Sequence, residues 1–190
     1  MNLKEYKFNA EHNLGTPHTG GTDWRCITYF VSDAFKEVLF IAEPESILEI
    51  GFNAGASALL FLMINPKLHY HSIDIVENQK SVAYIGANFK RFSFYKKSSF
   101  DLPDIRMHSV YDLVFIDGDH SEEGVRNDIE KSLLFNPKYI LLDDYRHPSH
   151  QYIERIILED KRFEVVKVWE FNEIWDGYSM ALCKVINNKK

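Results

Sequence analysis

Apolar residues fall into two rhythms along the chain, and the two alternate. Short apolar or β-branched runs at residues 47–50, 69–75, 92–96, 113–116 and 139–142 read as strands, while residues 56–64, 78–89, 121–134 and 149–158 repeat apolar positions at helical spacing. Pro148 marks the start of the last of these helices. Strands separated by helical crossovers imply a parallel sheet with helices on both faces. The tail changes rhythm: residues 163–171 and 178–185 are β-rich runs joined by a short loop at 172–177, the pattern of an antiparallel hairpin. Together these predict an α/β protein, a single-domain Rossmann-like doubly wound sheet of about seven strands, mostly parallel with a C-terminal antiparallel hairpin.

Upstream of the first strand, residues 8–22 are polar and punctuated by Gly15, Pro17, Gly20 and Gly21, which reads as an irregular arm. Such an arm is either a disordered terminus or a flap over a nearby site. Thr22 and Asp23 then start a helix whose apolar stripe is Trp24, Ile27, Phe30, Val31, Ala34, Phe35 and Val38, and Pro44 ends that unit. The division is an arm at residues 1–22 followed by one domain at 23–190. Composition agrees with one domain, since 190 residues at 45% hydrophobic and 14% aromatic content bury a single full core.

The two cysteines, Cys26 and Cys183, lie far apart and form no C-x-x-C motif, which fits a reducing cytoplasm. The N-terminus lacks the apolar core of a signal peptide and no apolar run is long enough to cross a bilayer, so a soluble protein without a membrane partner is expected. A net charge of −6 disfavours a broad phosphate-binding surface and hence nucleic acid. One segment runs against that trend: residues 89–97 interleave Phe89, Phe92, Phe94 and Tyr95 with Lys90, Arg91, Lys96 and Lys97, as single-stranded nucleic-acid surfaces do. Its simpler reading is a helix ending in cations that suit the negative terminus, followed by an alternating strand.

Residues 47–57, ILEIGFNAGAS, run from an apolar strand into a turn with Gly51 and Gly55 and then open a helix. Two glycines let backbone pass close to a ligand, and the helix start presents unpaired N–H groups at its positive end. Dinucleotide folds use G-x-G-x-x-G to cradle a pyrophosphate, whereas this chain has E-x-G-x-x-x-G and no third glycine. A ligand with a charged amino-acid tail fits better. Glu49, Asp74, Asp117 and Asp143 all fall at or near strand ends, the edge where an open parallel sheet collects ligands. Carboxylates converging there repel one another unless something cationic binds.

These segments, with residues 111–120 (YDLVFIDGDH) and 140–144 (ILLDD), resemble the class I S-adenosylmethionine-dependent methyltransferases over roughly residues 46–185, in the form seen in small O-methyltransferases of the catechol, sugar and secondary-metabolite type. The resemblance implies a cofactor site at Glu49, Gly51, Asn53, Gly55 and Ser57, with Asp74 on the ribose, Ser98 and Ser99 on the adenine side, and Asp117 and His120 nearby. Ser98 and Ser99 stand where the family more often has Asp. It also implies Mg²⁺ or another divalent cation on Asp117, Asp143 and Asp144, although Asp144 replaces the family's Asn. His120 stands where the metal enzymes of this type carry a lysine that takes the substrate's proton, and histidine does that near neutral pH. His120, His147 and Asp117 are therefore the catalytic candidates; His147 and His150 either line the substrate pocket or act in place of His120. Plain structural roles stay open, with Asp119 and Asp144 as helix caps and His120 as a cap or an adenine contact. Trp175, in the hairpin loop, either covers the site or packs on the sheet edge.

The reading is an S-adenosylmethionine-dependent O-methyltransferase acting on a small hydroxylated acceptor such as a sugar or secondary metabolite. Two alternatives are a non-catalytic S-adenosylmethionine-binding accessory protein and an NAD-dependent oxidoreductase, the latter disfavoured by the missing glycine. The N-terminal amphipathic helix and the hairpin edge are surfaces of the kind that pair in homodimers.

Overall fold

Strands that read as unbroken apolar runs need cover on both faces. In the computed structural model, which describes residues 3–16, 31–104, 107–108, 110–171 and 178–186, they have it. Strand β4 (Leu113–Ile116) is buried at every position and β1 (Ser46–Ile50) at all but its first. With β2 (His69–Asp74), β3 (Phe92–Lys96), β5 (Tyr139–Leu142), β6 (Phe163–Glu170) and β7 (Ser179–Val185) they form one seven-stranded sheet in the order β3-β2-β1-β4-β5-β7-β6. Strands β1 to β5 pair in parallel, and β7 runs antiparallel to both β5 and β6, as the tail's change of rhythm predicts.

Side chains alternate across the sheet. Ile47, Tyr70, Leu113, Phe115 and Leu141 enter one core with Phe35 and Phe61. Leu48, Ile50, Val114, Ile116, Ile140 and Leu142 enter the other, with Val125, Ile129 and Ile153. The first layer is built by α1 (Leu3–Asn13), α2 (Ser32–Ala42), α3 (Ala56–Ile64) and α4 (Gln79–Asn88); the second by α5 (Glu122–Leu133) and α6 (Tyr152–Glu159).

Two sequence expectations need correction. Residues 8–13 of the expected irregular arm are helical, because Tyr6, Ala10 and Leu14 recur four apart and are fully buried. Burying Tyr6 and Leu14 contributes roughly 1.5–3 kcal/mol each, enough to override a polar composition. The Tyr6 hydroxyl also donates to the Ala56 carbonyl at 3.3 Å, which ties α1 to the first turn of α3. The expected start of the next helix at Thr22 and Asp23, with Trp24, Ile27 and Phe30, lies outside the described residues, as do Cys26, Gly20, Gly21 and Trp175. The later part of that stripe, Val31, Ala34, Phe35 and Val38, is buried as expected. Helix α2 ends before Pro44, where Glu43 turns left-handed at φ 43° and its N–H reaches the Leu39 carbonyl.

The second correction concerns α6, which begins at Tyr152 and not at Ser149. Residues 144–150 are spent on consecutive tight turns, His147 N–H to Asp144 O at 3.1 Å and His150 N–H to His147 O at 2.8 Å, after Asp144 itself turns left-handed at φ 52°. The loop this creates lies over the end of β5.

Candidate active site

Sheet order reverses between β1 and β4, so the loops after these two strands diverge and open a crevice at their carboxyl ends. Gly51 and Asp117 end the two strands side by side, with the Asp117 N–H on the Ile50 carbonyl at 2.8 Å. Gly51 is left-handed at φ 98°, and a Cβ there would stand 1.9 Å from the Asp117 carbonyl oxygen. The protein's own backbone, before any ligand, therefore requires glycine at 51. Gly55 (φ 75°) is constrained likewise, since its Cβ would meet the Phe52 ring at 2.5 Å. Phe52 is buried against Phe92 and Phe94 and anchors the turn from below.

Asp74 clasps this turn. Its Oδ2 accepts from the N–H groups of Phe52 (2.9 Å) and Asn53 (2.8 Å), and its Oδ1 from Val76 N–H (2.9 Å). A carboxylate offers about four acceptor positions, so capacity remains for a ligand hydroxyl. Asn53 is itself left-handed at φ 46°, and Ser57 sits half-buried in the first turn of α3, where helical N–H groups lack intrahelical partners. Beyond Asp74, Ile75, Val76 and Phe100 leave apolar side chains exposed at the ends of β2 and β3. Ile75 and Val76 directly follow the strand-ending Asp74, and Phe100 lies in the short turn after β3. Ser98 caps a short 3₁₀ turn at Ser99–Asp101, and Ser99 Oγ accepts from Asn127 Nδ2 at 3.1 Å.

Glu49 sits differently from a solvated turn acid. It points into the core, 1% exposed, directly opposite Ser72 in the β1–β2 register, and takes the Ser72 hydroxyl at 2.5 Å. Burial pushes its carboxyl well above the usual range, the Ser72 hydrogen bond only partly opposing this, so its favoured form is neutral.

The remaining acids meet the histidines across the ends of β4 and β5. His120 Nε2 lies 3.6 Å from Asp117 Oδ1, and its Nδ1 lies 3.5 Å from Asp144 Oδ2. The loop is fixed from behind by the Tyr152 hydroxyl on the His120 carbonyl, and by Asp119, which takes the N–H and hydroxyl of Ser121, the N-cap of α5. Burial works against charge on His120, yet the neighbouring Asp117 carboxylate, followed by Asp144, holds its imidazole above the ordinary value. Asp117 and Asp143 lie close enough to influence each other electrostatically. Burial, then the charges of Asp117 and Asp144, raise Asp143 well above the carboxylate range, and burial raises Asp117 as well. The Tyr178 hydroxyl donates to Asp143 Oδ1 at 3.1 Å.

His150 Nδ1 approaches the same Asp144 Oδ2 at 3.2 Å, and its ring stacks on both His120 (centroids 5.1 Å) and His147 (4.8 Å). His147 Nδ1 accepts the Ser149 N–H at 3.2 Å, which leaves the neutral ring's proton on Nε2. That hydrogen bond occupies the Nδ1 lone pair of His147. Ser179 pins this loop to β7 through Tyr145 N–H to its carbonyl and Arg146 N–H to its hydroxyl at 2.8 Å. Among the described residues, the group whose possible ligand atoms converge within 4.8 Å is His120, Asp144 and His150. Two clefts on the α5–α6 flank are lined by ion pairs, Arg162 with Glu130 and Asp160 in one and Arg146 with Glu154 in the other.

Comparison with known proteins gives the same picture. No curated protein sequence matches the chain. Solved structures do: a Klebsiella pneumoniae protein assigned as an O-methyltransferase aligns at TM-score 0.69 and 14% identity over 96% of this chain and 89% of its own. A Pyrococcus horikoshii protein assigned as an RNA methyltransferase aligns at 0.70 and 11%, covering all of both chains. An O-methyltransferase from Bacillus cereus, in complex with S-adenosylhomocysteine, aligns at 0.63 and 16% over 97% of this chain and 90% of its own. At such identities the likeness establishes the class I S-adenosylmethionine-dependent methyltransferase fold, and the different acceptors named in these neighbours show that the fold leaves the acceptor open. A family model described as a methyltransferase domain matches residues 48–145, just over half of the chain and the whole stretch from the glycine turn to the loop after β5, and the chain belongs to that methyltransferase family.

Proposed function

We propose that the protein transfers the methyl group of S-adenosylmethionine to a hydroxyl of a small acceptor, a sugar or secondary metabolite. One observation carries this reading: Gly51, in the cofactor turn, lies against the backbone of Asp117, which begins the loop bearing His120, so the donor site and a proton acceptor share one crevice. The cofactor's amino-acid tail would lie on the turn at Gly51, Asn53, Gly55 and Ser57, its ribose on the free acceptor capacity of Asp74, and its adenine on Ile75, Val76 and Phe100 beside Ser98 and Ser99. Buried Glu49 supports the turn from beneath, and its ionisation would be favoured by a bound ammonium.

His120 is the group assigned to take the acceptor's proton, since it is partly exposed between two carboxylates that stabilise the imidazolium. Transfer to a sulfonium methyl needs alignment more than activation, so most of the acceleration would come from holding oxygen and methyl in line. A divalent cation here would hold and acidify the acceptor hydroxyl. The edge has donors for one, and Mg²⁺ on Asp117, Asp143 and Asp144 would need Asp117 and Asp143, both raised above the ordinary carboxylate value by burial, in their ionised form.

Net charge of −6 favours a small acceptor over nucleic acid, and the fully buried free thiol of Cys183 suits a reducing cytoplasm. No helix among the described residues is long and apolar enough to cross a membrane. Phe40, 79% exposed on α2, and the open edge of β6 are candidate surfaces for a homodimer. Calorimetry with S-adenosylmethionine, followed by radiolabelled methyl transfer to panels of hydroxylated small molecules and to RNA, tests the proposal. Binding with transfer to hydroxyl acceptors is expected; binding without turnover would make this an accessory cofactor-binding protein, and transfer to RNA alone would overturn the acceptor class.

A further inference from the structure

The acids and imidazoles at the ends of β4 and β5 do not form the all-oxygen set that Mg²⁺ prefers. Asp117 and Asp143 face each other, whereas Asp144 faces two histidine rings. Its Oδ2 lies 3.5 Å from His120 Nδ1 and 3.2 Å from His150 Nδ1. For metal–ligand bonds near 2.0–2.2 Å, neighbouring ligand atoms stand roughly 2.8–3.6 Å apart in octahedral or tetrahedral geometry, so both contacts match edges of a coordination polyhedron. The three residues' possible ligand atoms all lie within 4.8 Å of one another.

A second observation is independent of that spacing. His150 Nδ1 is shut off from solvent, and its close polar neighbour, Asp144 Oδ2 at 3.2 Å, does not meet hydrogen-bond geometry. A buried polar atom without a well-formed hydrogen bond is destabilising, and an ion bound between it and Asp144 would satisfy it. The opposite nitrogen of His120 faces Asp117 Oδ1 at 3.6 Å, the arrangement in which a carboxylate orients a ligating imidazole and raises its basicity.

We propose that His120, Asp144 and His150 form a binding site for a divalent transition ion of the imidazole-seeking kind, with Zn²⁺ as the type case, in preference to Mg²⁺. Imidazole nitrogen selects such ions, whereas Mg²⁺ takes carboxylate, carbonyl and water oxygen. Three protein ligands leave at least one coordination position open to water or an acceptor hydroxyl. The inference deepens the reading of this edge as the acceptor side of an O-methyltransferase and rests on it for purpose, though not for geometry. Ion and proton exclude one another on His120 Nδ1, so the metal-free and loaded proteins present different acceptors for the hydroxyl proton.

The test is a titration of the metal-free full chain with Co²⁺, read by its visible d–d absorption, with Zn²⁺ and Mg²⁺ as competitors. One Co²⁺ per chain is expected, displaced by equimolar Zn²⁺ and retained against a large excess of Mg²⁺. His150→Ala should weaken Zn²⁺ binding by about tenfold or more, the order of loss seen even for groups one step removed from a metal. His147→Ala, on the adjoining ring, and Asp143→Asn should each leave it within about threefold. Absence of Co²⁺ binding would overturn the proposal, as would ready displacement by Mg²⁺ or a greater loss from Asp143→Asn than from His150→Ala. S-adenosylmethionine titrated into the same samples confirms that each variant is folded and tests the transferase reading separately, since the cofactor uses other residues.

Discussion

Substituting Gly51 by alanine separates two reasons for a glycine in the turn. If glycine serves only to admit the cofactor, Gly51→Ala should lose S-adenosylmethionine binding and keep its stability. The structure predicts otherwise. The residue is left-handed at φ 98°, and the new Cβ would stand 1.9 Å from the Asp117 carbonyl oxygen, a backbone atom at the end of a central strand. Left-handed backbone costs a residue with Cβ roughly 1–2 kcal/mol. Moving β4 to relieve the contact adds roughly 1–3 kcal/mol, the usual range for overpacking. The sum, ~2–5 kcal/mol, is a large part of the ~5–15 kcal/mol that holds a typical domain folded. With a urea slope near ~2 kcal/mol/M, the midpoint should fall by about 1–2.5 M. Gly86→Ala is the internal control: its Cβ meets nothing within 4 Å inside α4, so the same chemical change there should stabilise by ~0.5–1 kcal/mol. A Gly51→Ala protein with an unchanged midpoint, or one that shifts as Gly86→Ala does, would refute the argument.

Three further outcomes follow from the site. Asp74→Asn keeps one oxygen for the Phe52 and Asn53 N–H groups but loses the second, so its melting temperature should stay near the parent's while S-adenosylmethionine affinity drops about tenfold or more by calorimetry, whereas Asp74→Ala should lose both. His120→Gln should cut turnover by about 10²–10⁴-fold and His147→Gln by much less; because Asp117 and Asp144 hold the His120 imidazole above its ordinary value, the acid limb of the parent's rate profile should fall above the usual histidine pKa and vanish in the His120 variant. Glu49, whose folded pKa is raised by burial, contributes stability that is full below its unfolded value and lost as pH rises toward the folded one; Glu49→Gln should therefore gain on the parent in chemical denaturation between about pH 4.3 and neutrality, and a constant difference across that range would count against a neutral Glu49.

Much of this architecture was legible because the strands repeat one physical statement. Residues 113–116 and 139–142 are apolar without alternation, which only a strand covered on both faces permits, and they appear at those positions. The turn at Gly51 and Gly55 was legible as a turn, but its reason was not, since the collision that demands glycine comes from Asp117, sixty-six positions downstream. Helix α1 was hidden by composition: three buried residues, Tyr6, Ala10 and Leu14, sit in an otherwise polar stretch, and their value depends on α3 and α4 being there to receive them. His150 was only one possible pocket histidine because its place follows from the left-handed Asp144 and two successive turns, which no periodicity announces.

The four strand-end acids show how a correct electrostatic premise can have a local answer. Convergence of Glu49, Asp74, Asp117 and Asp143 suggested that a cation must balance them, yet three other devices share that task. Glu49 is buried in a form that favours neutrality and takes the Ser72 hydroxyl. Asp74 spends its charge on the turn's N–H groups, which sit near the positive end of α3. Burial raises the carboxyls of both Asp117 and Asp143 above the ordinary carboxylate value. What remains is Asp144, the residue at which this chain departs from the resembled Asp-Asn pair, and it is faced by His120 and His150 within 3.5 Å. The extra carboxylate therefore adds its charge beside imidazole nitrogen, and the attraction for a cation is concentrated where the ligand set has changed from oxygen alone to nitrogen and oxygen. A metal preference that follows the nitrogen donors, with a cofactor site built from separate residues, is the arrangement these contacts favour.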